Sequence, residues 1–235
     1  MTQGNIIGLV LSYVYAFGLL FIVEAIGKWF KWPQQFTRKI IHIGAGMWIW
    51  GILALFDTWT IGIIPFATFI VLNYLFYRMQ TFKAMDTEKS TLGTVYFAIS
   101  ITILFSLLWR TGGALDRVPL AAAAVMAMTW GDGMASIVGQ SRGKHTYTVF
   151  GHTRSWEGTA AMALFSFVAM ALTLFLLSGS AWSPNSAPLT IGEAIGLSLA
   201  STVVAAGAEA TSPAGTDNLS VPLLTGLALY LLLRK

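Results

Sequence analysis

The sequence predicts an all-α integral membrane protein, a polytopic bundle of about seven or eight transmembrane helices. The 235 residues are 56% hydrophobic and only 10% charged, whereas soluble domains carry about a quarter charged residues. Apolar runs of about 20 residues recur, and each is long enough to cross roughly 30 Å of hydrocarbon as a helix. No segment resembles a linker or a separate soluble domain, so we expect residues 1–235 to form a single transmembrane domain.

Eight apolar runs are candidate spans, and short polar segments separate them. They cover residues 6–27, 40–56, 60–77, 92–109, 118–138, 158–178, 190–208 and 219–233. The first run lacks a basic region before it and a small-residue cleavage site after it, so we expect it to stay in the protein as a span. The chain contains no cysteine, which excludes disulfides and thiolate metal sites.

The distribution of basic residues predicts the orientation. Segments 28–39, 78–91 and 139–157 hold ten of the fourteen Lys and Arg residues. If every run crosses the membrane, these segments share one side, and the positive-inside rule places that side in the cytosol and both termini opposite. The net charge of +4 is too small to indicate nucleic acid as a partner. The polar clusters described next all fall on the predicted cytosolic face, where they can converge on one site.

The first polar cluster opens the second span with the sequence TRKIIHIGAG. Arg38 and His42 are four residues apart and share a helix face, and Lys39 is adjacent. A basic pair whose side chains extend to the interface is common at a helix end. His42 lies one turn further inside, where ionisable groups are rare and often functional.

Asp132 lies near the cytosolic end of the fifth span, in WGDGMASIVG. A carboxylate at mid-membrane costs about 2.5–3.5 kcal/mol on insertion scales, and Ser136 shares its helix face. Two interpretations remain open: an interfacial aspartate beside glycines that serve helix packing, or a metal or nucleotide site.

The segment GQSRGKH, residues 139–145, follows directly. It fails the Walker A template because three residues separate its glycines and His145 follows its lysine. Gly139 and Gly143 would still expose backbone N–H groups, and Arg142 with Lys144 would offer positive charge to phosphate oxygens. A basic membrane-surface loop is the alternative.

The segment GHTRSWEG, residues 151–158, leads into the sixth span. Arg154 can form paired hydrogen bonds to phosphate oxygens, and beside Ser155 the coming helix offers its positive end to an anion. Glu157 in the first turn complements that dipole, binds Mg²⁺ or takes a proton. His152 is a candidate base or a hydrogen-bond donor to phosphate.

The last cluster, GAEATSPAGTDNLSVPL, separates the final two spans and contains no Lys or Arg. Its Glu209 and Asp217 depart from the basic composition of the other cytosolic loops, which favours metal binding or activation of a hydroxyl group. The alternative is a turn in which Asp217 and Asn218 cap the final helix.

Together these motifs resemble the dolichol kinase and phytol kinase family, membrane enzymes that phosphorylate isoprenoid alcohols with CTP. The matching segments are RKIIH (38–42), GTVYF (93–97), WGDGMASIVGQSRGK (130–144), RSWEG (154–158) and TDNLSVPL (216–223). The short chain and the DNLSVPL element resemble the phytol kinase branch more than the longer dolichol kinases.

Two other functions share some of these sequence features. Phosphatidate cytidylyltransferases, which form CDP-lipids, share the D-x-x-A…G-x-x-x-G-K pattern and a T-W-E-G element. Their C-terminal signature combines Lys-Asp, a His-Gly-Gly run and a paired-Asp ending, and this chain has SPAGTDNLSVPL instead. A transporter or lipid-binding membrane protein would place ionisable residues at mid-bilayer depth from both sides, whereas these clusters share one side.

The resemblance implies a single transmembrane kinase domain that binds CTP, Mg²⁺ and an isoprenoid alcohol, with phytol as the first expectation. The alcohol would enter laterally between helices, and Asp217, Glu209 or His42 would orient or deprotonate its hydroxyl. The implied catalytic residues are Asp132, Lys144, Glu157, Asp217 and His42. The implied nucleotide-binding residues are Gly139, Arg142, Gly143, Lys144, His152, Arg154, Ser155, Arg38, Lys39 and Asn218. The implied metal ligands are Asp132, Glu157, Glu209 and Asp217. The sequence leaves the oligomeric state open.

Overall fold

The computed structural model describes residues 1–82, 91–113, 115–213 and 215–233. Four basic residues used to predict the orientation lie outside this part of the chain: Lys83, Lys89, Arg234 and Lys235. The described helices are α1 (Gln3–Trp29), α2 (Gln34–Leu55), α3 (Trp59–Gly62), α4 (Ile64–Met79), α5 (Gly93–Leu108), α6 (Val118–Met126), α7 (Gly133–Arg142), α8 (Trp156–Leu177), α9 (Ile191–Thr211) and α10 (Asp217–Leu233). The all-α prediction is therefore confirmed.

Five helical segments in the described ranges are long and apolar enough to cross a membrane. They are Gln3–Trp29, Trp59–Met79, Val118–Arg142, Trp156–Leu177 and Ile191–Thr211. Gly93–Leu108 and Asp217–Leu233 are shorter apolar helices. Each of the eight predicted spans contains a helix, while the number that cross the membrane remains a prediction.

The segment Val118–Arg142 forms the centre of the bundle. In its most apolar stretch 72% of the residues are buried, against 22% to 39% in the other four long segments. Its first turns are rich in alanine, from Ala121 to Ala124, and all four of these residues are fully buried. Small side chains allow helices in a membrane to approach closely, so the central helix can contact several neighbours at once.

The outer helices expose apolar side chains instead of polar ones. Val14 and Phe21 on α1, Leu164 on α8 and Val203 on α9 are all more than half exposed. Lipid tails are as apolar as these side chains, so this exposure suits a helix bundle surrounded by a bilayer.

Two local features depart from regular helices. Within the central segment, Ala127–Asp132 forms a π-helical turn between α6 and α7. Between α7 and α8, strands β1 (Thr146–Val149) and β2 (His152–Ser155) form an antiparallel hairpin. Both features adjoin the polar residues that form the candidate site.

Candidate active site

The π-helical turn places Asp132 where helices cross closely. Such turns occur mostly as single insertions within α-helices, frequently at functional sites. A Cβ atom at Gly131 would lie 2.1 Å from Ser166 Oγ on α8, so only glycine permits this approach. Asp132 is the last residue of the turn and is 4% exposed. The carboxylate is therefore buried and needs a charged partner.

Lys39 on α2 supplies that partner. Its Nζ atom donates a hydrogen bond of 2.7 Å to Asp132 Oδ2. His42, one turn along α2, places Nε2 3.5 Å from the same oxygen and 3.3 Å from the carbonyl oxygen of Met128. The RKIIH motif and the aspartate of the fifth predicted span thus meet in one cluster.

Arg154, the third residue of β2, joins the acidic cluster to this site. Its Nε lies 3.4 Å from Glu209 Oε1 and its Nη2 lies 3.7 Å from Asp217 Oδ2. Nη2 also donates to the carbonyl oxygens of Glu209 and Ser212, at 3.4 Å and 3.2 Å. The Nε atom is buried and makes no hydrogen bond within the described part of the chain. Among the described residues, Nε is therefore held by an ion pair with Glu209 alone, without a hydrogen bond.

These charged residues line a small polar cavity of about 320 Å³. Its polar and glycine lining comes from α2, the central segment, the hairpin and the starts or ends of α8, α9 and α10. The lining residues are Lys39, Asp132, Ala135, Ser136, Gly139, Gln140, Gly143, Thr146, Thr153, Arg154, Ser155, Gly158, Thr159, Glu209 and Asp217. Two formal cations face three formal carboxylates here, which leaves one negative charge.

A second, larger cavity of about 670 Å³ lies between α1, α2, α4 and α5. Most of its wall is apolar, including Leu20, Phe69 and Ile101, and we call it the apolar cavity. Arg38, His42 and Asn218 line it together with residues of the polar cavity. It is within the range of about 300–1,000 Å³ that is typical of small-molecule sites.

The two cavities share five lining residues, which we call the junction: Lys39, Ser136, Gln140, Arg154 and Asp217. A ligand in one cavity can therefore contact the same side chains as a ligand in the other. This geometry suits a reaction between one apolar and one charged substrate.

Comparison with known proteins supplies the family. No family model matches the chain, and no solved structure is significantly similar to it. A phytol kinase from Synechocystis is 34% identical over 231 residues, which cover 94% of this chain and 88% of that protein. The chain belongs to the phytol kinase family.

More distant relatives support this membership. A probable chloroplastic phytol kinase of rice is 29% identical and covers 85% of this chain, which spans 65% of the rice protein. A chloroplastic farnesol kinase of Arabidopsis is 27% identical, over 95% of this chain and 76% of its own length. Members named for different isoprenoid alcohols thus match this chain over nearly its whole length.

In this family member, the predicted site residues divide into two groups. Those at the cavities are Arg38, Lys39, His42, Asp132, Gly139, Gly143, Arg154, Ser155, Glu209, Asp217 and Asn218. Arg142, Lys144, His152 and Glu157 line neither cavity. Arg142 and Lys144 are exposed at the end of α7, and Glu157 pairs with exposed His145 at 2.7 Å. The catalytic and binding roles of all these residues remain predictions.

Gly139, which is predicted to expose a backbone N–H group to phosphate, also has a packing role. A Cβ atom at Gly139 would lie 3.2 Å from Ser155 Oγ and 3.6 Å from Gly158 Cα. Ser155 itself caps α8 by accepting a hydrogen bond from the Gly158 backbone N–H at 3.1 Å. Small residues here let α7 and α8 cross beside the polar cavity.

The polar cavity has the donor types that suit Mg²⁺. Proteins often hold this ion through one or two carboxylates together with substrate phosphates, and Asp132, Glu209 and Asp217 all line the cavity. In the described ranges, no three acidic, His or Cys residues lie close enough to hold a metal by themselves. These carboxylates therefore fit a Mg²⁺ ion whose other ligands come from a phosphate group.

Two parts of the site were missed from sequence. The apolar cavity extends beyond the motifs that open α2 and α5, and its wall includes Ser12, Tyr15 and Trp48, which belong to no motif. Asn73 in the third predicted span was a usable signal, because its buried amide donates to the Thr94 carbonyl oxygen at 3.0 Å. The π-helical turn had no distinct sequence signal.

Proposed function

We propose that this protein transfers the terminal phosphoryl group of CTP to the hydroxyl of a membrane isoprenoid alcohol, with phytol as the first candidate. Membership of the phytol kinase family makes it a phosphotransferase that acts on an isoprenoid alcohol. The observation that supports the mechanism is the junction, where an apolar cavity meets a cavity lined by cations and carboxylates.

The alcohol would occupy the apolar cavity with its hydroxyl at the junction. Asn218 lines the polar end of this cavity, and its Oδ1 atom is buried without a hydrogen-bond partner among the described residues. A buried acceptor without a donor is destabilising, and a substrate hydroxyl would supply that donor.

The phosphates of the nucleotide would occupy the polar cavity beside Lys39 and Arg154. Lys39 now neutralises Asp132, while Arg154 lies between Glu209 and Asp217. Phosphate oxygens would accept hydrogen bonds from the same two cations, including Arg154 Nε, which is ion-paired with Glu209 but makes no hydrogen bond among the described residues. Arginine suits this role because its planar guanidinium group can form two parallel hydrogen bonds to phosphate.

Asp132 is the first candidate ligand for Mg²⁺, with Glu209 as a second. The ion would offset the charge that develops on the transferred phosphoryl group. Lys39 can leave Asp132 for a phosphate oxygen, which would free the carboxylate. Nucleotide binding would then exchange ion-pair partners within the cavity and leave no charge buried alone.

Asp217 is the best placed of the three candidate bases. It lines both cavities, whereas His42 lines only the apolar one and Glu209 only the polar one. The alcohol oxygen would attack the terminal phosphorus, the bond to the β-phosphate oxygen would break, and CDP would leave. The hydroxyl would turn from Asn218 Oδ1 to the Asp217 carboxylate, which would take its proton. Positioning is the main requirement of phosphoryl transfer, and a junction lined by residues of both cavities supports this assignment.

The test is a matrix of donors and acceptors with purified protein and Mg²⁺. Phytol, farnesol, geranylgeraniol and a longer polyprenol are each supplied with CTP, ATP, GTP or UTP, and products are identified by mass. The proposal predicts an alcohol monophosphate and CDP in equal amounts. Formation of a CDP-lipid and pyrophosphate from a lipid phosphate would instead identify a cytidylyltransferase.

The predicted cytosolic location of the site can be tested separately. Because the chain has no cysteine, a Lys144→Cys variant carries a single thiol at an exposed position beside the site. In sealed vesicles of known orientation, a membrane-impermeant maleimide should label it from the cytosolic side only. Labelling from the opposite side would reverse the orientation.

A further inference from the structure

One end of the apolar cavity is polar and the other is lined by aromatic residues. Contacts between Gly27 and Thr37 and between Gly44 and Leu19 show that α1 and α2 are antiparallel. The residues of these helices that line the cavity furthest from the junction are therefore Ser12 and Trp48. Trp48 is ten residues beyond Arg38, which corresponds to about 15 Å along α2.

Helices α5 and α4 also line the cavity, and their lining residues indicate the same far end. On α5, Gly93 lies beside Arg38 of α2, and the ring centroids of Phe97 and His42 are 4.8 Å apart. The residue numbers rise together along both helices, so α5 is parallel to α2. The last α5 residue that lines the cavity is Ile101. On α4, the lining begins at Pro65, at the end of the helix away from the junction. The cavity thus has a defined far end.

Trp48 is held firmly at that end. Its ring stacks on Tyr15, with 4.3 Å between centroids and 18° between planes. Its Nε1 donates to Ser12 Oγ at 3.0 Å, and Ser12 donates in turn to the Gly8 carbonyl oxygen at 2.7 Å. On the same helix, a Cβ atom at Gly51 would lie 2.7 Å from the Trp48 ring. These contacts fix the ring, so it cannot easily rotate away from a ligand.

We propose that Trp48 is a specificity-determining residue that limits the length of the isoprenoid chain accepted by the enzyme. This inference rests on the proposed function, because it requires the hydroxyl at the junction and the tail in the apolar cavity. A tail that reaches Trp48 fills the cavity, while a longer one must bend or displace a fixed aromatic ring. Ala45 lies one turn nearer the junction on the same face of α2 and also lines the cavity.

The test uses a competition between all-trans prenols that differ by one isoprene unit. Each purified enzyme receives an equimolar mixture with CTP and Mg²⁺, and the ratio of longest to shortest product is measured by mass. This ratio reports relative kcat/KM, and it does not depend on how much of a variant is folded.

Trp48→Ala should raise the ratio at least about tenfold over the wild type, because even one methylene in an apolar pocket changes discrimination by about that factor. Ala45→Leu should lower the ratio, since it shortens the cavity. Trp50→Ala is the matched control: it removes an indole from the same helix at a position that does not line the cavity, and the ratio should stay at the wild-type value.

The outcomes separate the two proposals. An unchanged ratio in active Trp48→Ala, with an active wild type, would overturn the chain-length role alone. An equal shift in Trp50→Ala would also overturn it, because general loosening of α2 would then explain the change. If Trp48→Ala fails to fold, Ala45→Leu still decides the matter. A wild type that phosphorylates no prenol would refute the proposed function, and the chain-length role with it.

Discussion

Two contacts of equal length, each between a carboxylate and a basic residue, lie in very different surroundings. Lys39–Asp132 and His145–Glu157 both measure 2.7 Å between nitrogen and oxygen. The Asp132 and Lys39 side chains are 6% and 19% exposed, whereas those of Glu157 and His145 are 27% and 78% exposed. Burial strengthens a charge interaction and makes an unpaired charge destabilising. We therefore expect the first pair to control both activity and stability, and the second to contribute little.

The largest effect should come from Asp132→Asn, which retains the shape of the side chain and removes its charge. We expect phosphoryl transfer to fall by about a thousandfold, as for loss of a main electrostatic contact in an active site. Initial rates of alcohol phosphate formation would measure this, with size-exclusion chromatography to establish folding. Near-normal turnover in folded Asp132→Asn would contradict a role for Asp132 in phosphoryl transfer.

Asp217→Asn should follow, with a loss of about a hundredfold in kcat, the lower range for a general base. The KM for CTP should change little if Asp217 acts on the alcohol hydroxyl. Steady-state kinetics with each substrate varied in turn would separate these parameters. His42→Gln and Glu209→Gln are the matched comparisons, and a larger kcat loss in either would assign the base to that residue.

Lys144→Ala tests whether the exposed loop after α7 also holds the nucleotide. Lys144 lines neither cavity, so we expect kcat to be retained. If its positive charge contacts CTP equally before and during the reaction, the KM for CTP should rise by about tenfold. Titration of CTP at saturating alcohol measures it. A complete loss of kcat would show that this loop closes over the reacting phosphates.

The smallest effect should come from Glu157→Gln, which breaks the exposed pair. A polar contact exposed to water contributes little even between charged groups, so we expect turnover to change by less than about fivefold. The same initial-rate assay, run beside Asp132→Asn, provides the comparison. A loss as large as that of Asp132→Asn would contradict the distinction between the two pairs and restore Glu157 as a metal ligand.

Much of the fold follows from the sequence because hydropathy dominates in a membrane. Each predicted span contains a helix, and the main deviations have local causes. The third span is interrupted near Ile63, since Pro65 lacks the N–H group that a continuous helix would use. The fifth span extends to Arg142, beyond its predicted end, because the π-helical turn continues directly into α7.

The site was only partly predictable, for reasons of distance and geometry. Lys39 and Asp132 are 93 positions apart, and only their predicted location on the same side of the membrane indicated that they could meet. The charged segment after α7 gave no alternating pattern, so the β hairpin that carries Arg154 into the cavity was not foreseen. A cavity wall made of ordinary apolar residues has no signature at all, and the apolar cavity is therefore a finding of the structure.

The most direct test asks whether both substrates reach the junction. Ser136 lines both cavities, and Ser136→Cys introduces the only thiol in a chain that has no cysteine. CTP with Mg²⁺ alone, and phytol alone, should each slow its modification by a small maleimide. Ser141→Cys, on the exposed end of the same helix, should react at the same rate with or without substrates. Unchanged labelling of Ser136→Cys by either substrate at saturation would contradict a reaction at the junction.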